Sequence, residues 1–371
     1  MKKLELETPA VIVDQQRLLG NIREMQDTAN STGVLLRPHT KTHNCPELAK
    51  LQLETGATGI SVQDVSHAEA MTNAGITDIF IANEVVDPAR IERLVKLQEK
   101  ATVKVAVDDP VNAEQIAKTA SSHGRIVPVL VDVDVGAGRC GVPFDEAPKL
   151  AKKISRLKGV RFDGLMGYEG QFYNVTNRQR REKLTKRVIA RLVRKAKLIV
   201  KSGLDVPIVS CGTTPTARAA ARVEGVTEIQ PGNYVFYDLM QVEMGVATEE
   251  KCAQHVLTTI ISTPNPRRFV VDAGVTTFAH DQARFPKILS VPSATPTEIN
   301  QEHLIIRINA KVMRLHVGDK IEFLPYHACS ATNQFAQIHL TKEERVIATW
   351  DVTPQRKLEL TTRNGSLASF H

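Results

Sequence analysis

The chain has 371 residues, 42% of them apolar and 24% charged, which is the composition of an ordinary soluble globular protein. No run approaches 18 uncharged apolar residues, which argues against a membrane-spanning helix. The N-terminal stretch MKKLELETPA has no apolar segment of the secretory type, so we expect a cytoplasmic protein without a membrane partner. Five scattered cysteines do not form the pattern of a disulfide framework.

The net charge of +7 is concentrated in one segment. Residues 178–201 hold 11 of the 48 Lys and Arg residues but only one of the 41 acidic residues. Apolar residues recur there at helical spacing, which predicts a helix with a buried stripe and a basic outer face. No aromatic residues alternate with the basic ones, so a solvated helix face is favoured over a nucleic-acid-binding surface. We expect no nucleic-acid partner.

Short β-rich segments recur along the first two thirds of the chain, with helical segments between them. They lie at residues 34–39, 58–62, 78–83, 103–108, 126–134, 162–169, 207–212 and 228–236. Alternation of this kind indicates parallel βαβ units. Eight units favour a closed (β/α)8 TIM-like barrel over an open sheet, and we assign this barrel to residues 10–245.

The pattern changes after residue 245. The β-rich segments there are HVLTTIIS, RRFVVDAG, LIIRINAKVMRLHVGDKIEFLPYH, FAQIHL and VIATWDV, with turns rich in Pro, Gly and Asn and no convincing helix between them. This predicts a C-terminal antiparallel β domain at residues 246–371, which residues 1–9 are candidates to join. We expect PNPRR and SVPSATPTEIN to be loops. The fold class is therefore α/β, with a barrel followed by a β domain.

Reactive groups of such a barrel collect at the C-terminal ends of its strands. The residues there are Arg37, His39, Lys41, Asn83, Glu84, Arg139, Tyr168, Glu169, Gln171, Gly212, Thr213, Thr214, Gly232, Asn233 and Tyr234. The last two loops, CGTTPTA and QPGNY, offer backbone N–H groups suited to a phosphate. A lysine near a phosphate suggests pyridoxal phosphate, whose aldehyde forms a Schiff base with an amine. From position alone, however, a solvated loop lysine is the simpler interpretation of Lys41.

A longer motif changes that interpretation. The segment LRPHTKTHNCPELAKLQLETGATGISV resembles the lysine segment of the fold-type III pyridoxal-phosphate enzymes that act on D-3-hydroxy amino acids. These are the D-threonine aldolase and D-serine dehydratase group, distant relatives of the alanine racemases. VDVDVGAGRCGV, GYEGQ, CGTT, EIQPGNYVFYD, VDAGVTT and GDKIEFLPYHAC follow in the family's order, so the resemblance covers nearly the whole chain. It implies a head-to-tail homodimer with composite active sites.

The resemblance also implies roles for individual residues. Lys41 would bind the cofactor aldehyde and act as acid and base at the substrate Cα, with His39 and Tyr168 beside the cofactor. Arg139 would hydrogen-bond the cofactor's phenolic oxygen. Gln230 would lie against the pyridine nitrogen, which a glutamine cannot protonate. The phosphate would be held by Thr213 and Thr214 and by the backbone of Gly212, Gly232 and Asn233, with Tyr234 closing over it.

A second pair of residues is a candidate metal site. His327 and Cys329 lie two residues apart at the end of the predicted strand IEFLPYH, and such residues share a strand face. Imidazole and thiolate ligands suit Zn²⁺, although the spacing alone favours a structural pair. The resemblance implies a metal pair, with Zn²⁺ preferred and Mn²⁺ or Mg²⁺ as alternatives. His-x-Cys is similar to the zinc-dependent D-serine dehydratases and their 3-hydroxyaspartate relatives, whereas D-threonine aldolases have His-x-Asp.

One position departs from the family pattern. Gln171 stands where many members have a histidine after YEG, and a glutamine cannot shuttle a proton there. We keep Gln171 as a candidate catalytic position, but the departure weakens the aldolase hypothesis because it removes a candidate base.

Four functions remain open at this point. The leading hypothesis is a dehydratase that converts a D-3-hydroxy amino acid of the D-serine, D-threonine or 3-hydroxyaspartate type into a 2-oxo acid and ammonia. The first alternative is a D-threonine aldolase, which would produce glycine and an aldehyde. The others are a metal-dependent barrel hydrolase with His39 and His43 as ligands, and a non-catalytic protein that binds pyridoxal phosphate.

Overall fold

The computed structural model describes residues 1–291, 293–308 and 315–354. The helices are α1 (Gln15–Thr32), α2 (Pro46–Glu54), α3 (Val65–Asn73), α4 (Pro88–Leu97), α5 (Pro110–Ser122), α6 (Ala147–Ile154), α7 (Arg178–Lys201), α8 (Ala217–Ala220), α9 (Leu239–Glu243), α10 (Val275–Phe278) and α11 (Ala328–Thr332). The strands are β1 (Ala10–Asp14), β2 (Leu35–Leu36), β3 (Ile60–Val62), β4 (Asp78–Glu84), β5 (Thr102–Val107), β6 (Val127–Val133), β7 (Val160–Gly167), β8 (Ile208–Cys211), β9 (Glu228–Ile229), β10 (Gln254–Asn265), β11 (Arg268–Val271), β12 (Lys287–Ile288), β13 (Ala294–Ile299), β14 (Leu304–Ile308), β15 (Lys320–Leu324), β16 (Gln337–Lys342) and β17 (Arg345–Asp351).

The first sheet is a parallel barrel. Its strand order is β2-β9-β8-β7-β6-β5-β4-β3, and a parallel bridge between His39 and Ser61 joins its two ends. Every residue of β6 is buried, as expected for parallel strands that are covered on both faces. The predicted (β/α)8 barrel is therefore confirmed. The closing bridge lies two residues before Lys41, which places this lysine at the mouth of the barrel.

The barrel interior contains an ion network. Arg37 is 3% exposed and donates to Glu228 at 2.7 Å and to Asp78 at 2.8 Å, while Lys104 donates to Asp78 at 2.7 Å. The two carboxylates lie at the starts of β9 and β4. A buried guanidinium needs such counter-ions. The prediction that Arg37 belongs to the reactive rim was therefore wrong, because its side chain is bound inside the barrel.

The second sheet contains both ends of the described chain. Its order is β13-β14-β11-β10-β1-β16-β17, and β15 pairs with β10 and β12. Strand β1 is antiparallel to β10 and parallel to β16, so the first strand of the chain lies between two late ones. The remaining pairs are antiparallel, as predicted. Residues 309–314 and 355–371 of the predicted β domain lie outside the described residues.

Two expectations for this region were wrong. The segment 294–299, predicted as a loop, forms the edge strand β13, and a register shift between Pro296 and Glu298 accommodates the proline. The region also contains helices, α10 and α11. Strand β15 ends at Leu324, immediately before Pro325, and α11 begins after His327. Proline cannot continue the hydrogen-bonding ladder of a strand, which explains this early end.

The basic segment forms the long helix α7. Leu192, Ala196 and Ile199 are buried against the barrel, whereas Leu184 and Val188 are half-buried. Most of the basic side chains are exposed. Among the described residues, no helix is both long enough and apolar enough to cross a membrane.

Candidate active site

A cavity of about 570 Å³ lies at the C-terminal mouth of the barrel, between the barrel strands and α11. The predicted site residues that line it are His39, Lys41, Arg139, Tyr168, Gly212, Thr213, Thr214, Gln230, Gly232, Asn233, His327 and Cys329. The fold therefore brings the lysine segment, the two glycine-containing loops and the metal pair to one place.

Lys41 lies in a short 3-10 turn that follows β2, Thr40–Thr42. The His39 side chain accepts the Lys41 backbone N–H at 3.4 Å and so caps this turn. Burial lowers the pKa of the Lys41 amine, against an opposing effect of Cys329, and the charge of Arg139 lowers it further. Burial beside these cations also keeps the pKa of His39 well below its usual value. Both shifts are toward the neutral forms of these groups, and a neutral lysine is the reactive one.

Tyr168 faces two basic side chains across the cavity. The Arg139 guanidinium carbon lies 4.2 Å from the Tyr168 ring centroid, and the Lys41 Nζ lies 5.7 Å from it. A Cβ at Gly170 would overlap the Tyr168 ring, so the glycine permits this ring position. The Arg139 guanidinium stacks on the ring as cation–π pairs do.

Acidic residues surround the loop that carries Arg139. Burial, followed by the charge of Glu84, raises the pKa of Asp132 to about 7, while Arg139 acts in the opposite direction. Asp108 accepts the backbone N–H of Gly141 at 2.9 Å. Ligand atoms of Glu84, Asp108 and Cys140 lie within 4.8 Å of one another. These acids provide the charge that balances Arg139, and the sequence analysis noted only Glu84 among them.

The backbone of the loop after β8 donates hydrogen bonds to a carboxylate within the protein, a contact that the sequence analysis did not predict. The Gly212 N–H donates to both carboxyl oxygens of Glu169, at 3.1 and 3.0 Å. Glu169 is fully buried, and burial raises the pKa of its carboxyl to about 7. This Gly212 amide, expected to bind phosphate, already has an acceptor within the protein.

In the loop after β9, two backbone N–H groups lack an acceptor among the described residues. The N–H groups of Gly232 and Asn233 have no acceptor within residues 1–291, 293–308 and 315–354, and both residues line the cavity. A Cβ at Gly232 would lie 2.7 Å from the His39 carbonyl oxygen, so this close approach requires glycine. Thr214 accepts the Tyr234 N–H at 3.1 Å and keeps its hydroxyl hydrogen for another partner. Two free amides beside threonine hydroxyls fit a phosphate group.

Gln230 has a defined orientation. Its Oε1 accepts a hydrogen bond from the Ser61 hydroxyl at 2.7 Å, and the residue lines the cavity. Its amide nitrogen is then left as a donor toward the cavity. Such a donor can bond a pyridine nitrogen without transferring a proton to it.

The metal pair lies at the start of α11, not on a strand face, so the local structure predicted for it was wrong. His327 is the N-cap residue and Cys329 lies in the first turn. The Cys329 Sγ lies 3.2 Å from the Thr42 hydroxyl and 3.6 Å from the Asn233 side-chain nitrogen. The pair therefore adjoins the lysine turn and the Asn233 loop.

Each side chain of this pair favours the charged form of the other. Burial acts to lower the pKa of His327, but the charge of Cys329 and a hydrogen bond to Asp281 raise it to about 11. In the same way, His327 lowers the pKa of the Cys329 thiol in spite of its burial. A cation would displace the imidazolium proton, and the resulting thiolate and neutral imidazole form a donor set that suits Zn²⁺, so the residues present fit a cation.

Two predicted site residues do not line the cavity. Gln171 donates from Nε2 to the Val135 carbonyl at 2.9 Å, which turns its side chain away. Tyr234 is fully buried, and its hydroxyl accepts from Gln52 at 2.9 Å. The second ligand of the hydrolase hypothesis, His43, also lies outside the cavity lining.

The cavity includes residues that sequence reasoning missed. Those with polar or large side chains are Thr42, Gln63, Met166, Tyr173, Met240, Gln282, Ser330 and Asn333. Tyr173 lies in the 3-10 turn Gly170–Asn174 and lines the cavity together with Thr213. Because a 3-10 helix has three residues per turn, positions 170 and 173 lie on the same side of it. This spacing was the feature of the sequence that could have predicted Tyr173 as a site residue.

A (β/α)8 barrel with a buried lysine and an anion cradle at its mouth, followed by a β domain, is the architecture of fold-type III pyridoxal-phosphate enzymes. Comparison with known proteins agrees with this class. The family model "Alanine racemase, N-terminal domain" matches residues 13–239, and a serine dehydratase domain model matches residues 253–341.

Individual relatives cover almost the whole chain. D-threonine aldolase from Arthrobacter sp. is 33% identical, over 94% of this chain and 92% of the relative. D-threo-3-hydroxyaspartate dehydratase from Delftia sp. (strain HT23) is 32% identical, over 94% and 97%. A solved structure of a cysteine-to-alanine variant of D-threo-3-hydroxyaspartate dehydratase, in the metal-free form, has a TM-score of 0.89 and 31% identity and covers 95% of this chain and 99% of its own. The chain therefore belongs to this alanine racemase-like family of pyridoxal-phosphate-dependent lyases.

Proposed function

We propose that this protein is a pyridoxal-phosphate- and divalent-metal-dependent dehydratase of a D-3-hydroxy amino acid, with a 2-oxo acid and ammonia as products. The observation that carries the proposal is the presence of Lys41, His327 and Cys329 around one cavity. A lysine of lowered pKa supports proton removal at Cα, and a thiolate–imidazole pair supports binding of a cation near the β-hydroxyl.

On the barrel side, the residues would bind and orient the cofactor. Bound pyridoxal phosphate supplies an electron sink for negative charge at the substrate Cα. Lys41 would hold the cofactor and then accept the Cα proton on Nζ, which its lowered pKa favours. The free N–H groups of Gly232 and Asn233 would hold the phosphate, and Arg139 on the Tyr168 ring would face the phenolic oxygen.

The neutral donor at Gln230 bears on the choice of reaction. The Ser61 hydroxyl turns the amide nitrogen toward the cavity, and an amide cannot protonate a pyridine nitrogen. Charge at Cα is then less strongly delocalised, so departure of the leaving group needs help from elsewhere. A cation held by His327 and Cys329 would provide this help as a Lewis acid at the β-hydroxyl, with Zn²⁺ as the preferred ion and Mn²⁺ or Mg²⁺ as alternatives.

Aldol cleavage is the second candidate function. The cation could equally lower the pKa of the β-hydroxyl, which is the requirement for breaking the Cα–Cβ bond. The similarity to the Arthrobacter D-threonine aldolase supports it. Two observations weigh for dehydration: the metal pair is His-x-Cys, and Gln171 contributes no side chain to the cavity.

Product identification separates these candidates. The protein would be incubated with pyridoxal phosphate, Zn²⁺ and, in turn, D-serine, D-threonine and D-threo-3-hydroxyaspartate, with the L-isomers as controls. We expect a 2-oxo acid and ammonia from a D-isomer. Glycine with an aldehyde would replace the dehydratase by the aldolase. Complete recovery of all substrates would favour a non-catalytic protein that binds the cofactor.

We also propose a head-to-tail homodimer, which the family resemblance supports. Light scattering of the purified protein is expected to give twice the mass of one chain. A mass equal to one chain at working concentration would contradict this proposal.

A further inference from the structure

The segment 279–285 runs past the metal pair on its outer side. The carboxylate of Asp281 lies 2.7 Å from the Nδ1 of His327, and the next residue, Gln282, lines the cavity. We infer that Asp281 is a positioning residue that fixes the His327 ring for a cation. This inference rests on the metal-dependent function proposed above.

The contacts of His327 define which ring nitrogen faces the cation. Nδ1 has two oxygen neighbours, the Asp281 carboxylate at 2.7 Å and the Ser330 hydroxyl at 2.9 Å. A carboxylate can only accept a hydrogen bond, so Nδ1 carries a hydrogen. The other nitrogen, Nε2, then offers its lone pair to a cation that displaces its proton, in the site that His327 shares with Cys329. A carboxylate on the far nitrogen of a metal-binding histidine fixes both ring orientation and tautomer.

The backbone of the segment supports this assignment. Ala279, His280 and Ala283 have positive φ values of 64°, 42° and 51°, a region that side-chain-bearing residues rarely occupy. Such conformations are strained and are found where the surroundings impose them. Here they form a tight turn, closed by a hydrogen bond from the Ala283 N–H to the His280 carbonyl at 3.1 Å. The turn directs Asp281 toward α11.

The position of the carboxylate also has an electrostatic effect. A negative charge behind an imidazole makes Nε2 a better electron donor and so strengthens its bond to a cation. Outer partners of this kind typically contribute 10- to 100-fold in metal affinity. Asp281 therefore determines how tightly the pair holds its ion, without itself being a ligand.

The test measures cobalt binding in the protein loaded with pyridoxal phosphate and then treated with a chelator. Co²⁺ would be titrated into the wild type, Asp281→Ala and Asp281→Asn, and the thiolate-to-Co²⁺ absorption band recorded. We expect Asp281→Ala to weaken Co²⁺ binding about 10- to 100-fold and to shift the band. Asp281→Asn keeps an acceptor for Nδ1 without the charge, so its affinity should be intermediate.

The matched control is Asp319→Ala. Asp319 stands beside His316 in the turn before β15, 3.7 Å from its ring, but lies outside the cavity lining. Its removal should leave Co²⁺ affinity and the band unchanged. Equal affinity and spectra in Asp281→Ala and the wild type would overturn the positioning role alone. Failure of the wild type to bind Co²⁺ through Cys329 would overturn the metal-dependent function as well. The cofactor absorbance of each variant reports whether the barrel side is intact.

Discussion

The pKa values of ionisable side chains are shifted toward the neutral forms on one wall of the cavity and toward the charged forms on the other. On the barrel wall, Lys41 and His39 are half-buried near Arg139, and the pKa values of both are lowered. On the α11 wall, His327 and Cys329 are also half-buried, yet the histidine pKa is raised to about 11 and the thiol pKa is lowered. Burial opposes charge on both walls. The difference is that the opposite charges of His327, Cys329 and Asp281 outweigh burial on the α11 wall, whereas at Lys41 burial outweighs the opposing effect of Cys329 and Arg139 adds to it.

The two walls therefore suit different tasks in the proposed reaction. On the barrel wall, the lowered pKa shifts Lys41 toward the neutral amine, which is the form needed to bind an aldehyde and to take a proton. On the α11 wall, the lowered thiol pKa favours the thiolate that a cation needs, and the imidazole would release its proton when the cation binds. Substitutions on each wall should therefore produce different losses.

The largest effect is expected from Lys41→Ala, which removes the amine from the barrel wall. Activity should fall about 10⁴-fold or more, and the visible absorbance of bound cofactor should disappear. Borohydride reduction and peptide mapping of the wild type should find the cofactor attached at Lys41. Lys50→Ala, an exposed change on α2, is the control and should behave as the wild type. Cofactor attached at another lysine would contradict the assignment.

The next effect is expected from Cys329→Ala on the opposite wall. Loss of a Lewis acid worth several kcal/mol corresponds to an activity decrease of about 10²- to 10³-fold. The cofactor absorbance should remain, since the barrel wall is unchanged. Turnover and absorbance would be measured together, with the buried Cys252→Ala as the control cysteine. Full activity of Cys329→Ala in the presence of chelator would exclude the metal role.

A smaller effect concerns stability at the phosphate loop. The carboxyl pKa of Glu169 is raised from 4.5 to about 7 by burial. Since the folded pKa lies above the unfolded one, the contribution of this group to stability is complete below about pH 4.5. It is lost as the pH rises through about 7.

Glu169→Gln stays uncharged and should therefore gain stability relative to the wild type across this range, by about 3 kcal/mol in total. Urea unfolding of the cofactor-free proteins between pH 4.5 and 8 would measure this gain. Glu182→Gln, a surface change on α7, provides the control. A difference that does not vary with pH would show that Glu169 ionises as freely in the folded protein as in the unfolded chain.

The smallest effect is expected from Ser61→Ala. This change removes the hydroxyl that orients Gln230, a hydrogen bond worth about 1 kcal/mol. We expect a several-fold decrease in kcat and a small shift of the cofactor absorption band, because the ring nitrogen loses its fixed donor. Ser122→Ala on the outer surface of the barrel should change neither quantity. An unshifted band with unchanged kcat would mean that Gln230 does not depend on Ser61.

The sequence predicted the parts of the structure that depend on local periodicity. The barrel strands appear as short runs of β-branched residues between helical segments, and this alternation has few other solutions. The turn around Lys41 was found because RPHTKTH places costly polar groups at the end of a buried strand. Most residues expected at the site line the cavity because strand ends of a barrel converge.

The features that were missed depend on turns and long-range contacts. Pro325 ends β15 early, so His327 and Cys329 are presented by a helix start and not by a strand. The 3-10 turn after Glu169 brings Tyr173 into the cavity and turns Gln171 toward Val135. Asp281 contacts His327 from a segment that has neither helical nor strand periodicity, so no pattern in the sequence predicts that contact.

The central place of β1 in the second sheet has a consequence for biosynthesis. Its two neighbours, β10 and β16, leave the ribosome long after it does. Until they emerge, the backbone N–H and C=O groups of residues 10–14 are unpaired and their apolar side chains are exposed. Both features favour aggregation of the nascent chain. Any shortened product that stops before β16 keeps this strand half-covered, so expression of truncated versions should yield insoluble material even where the barrel itself is complete.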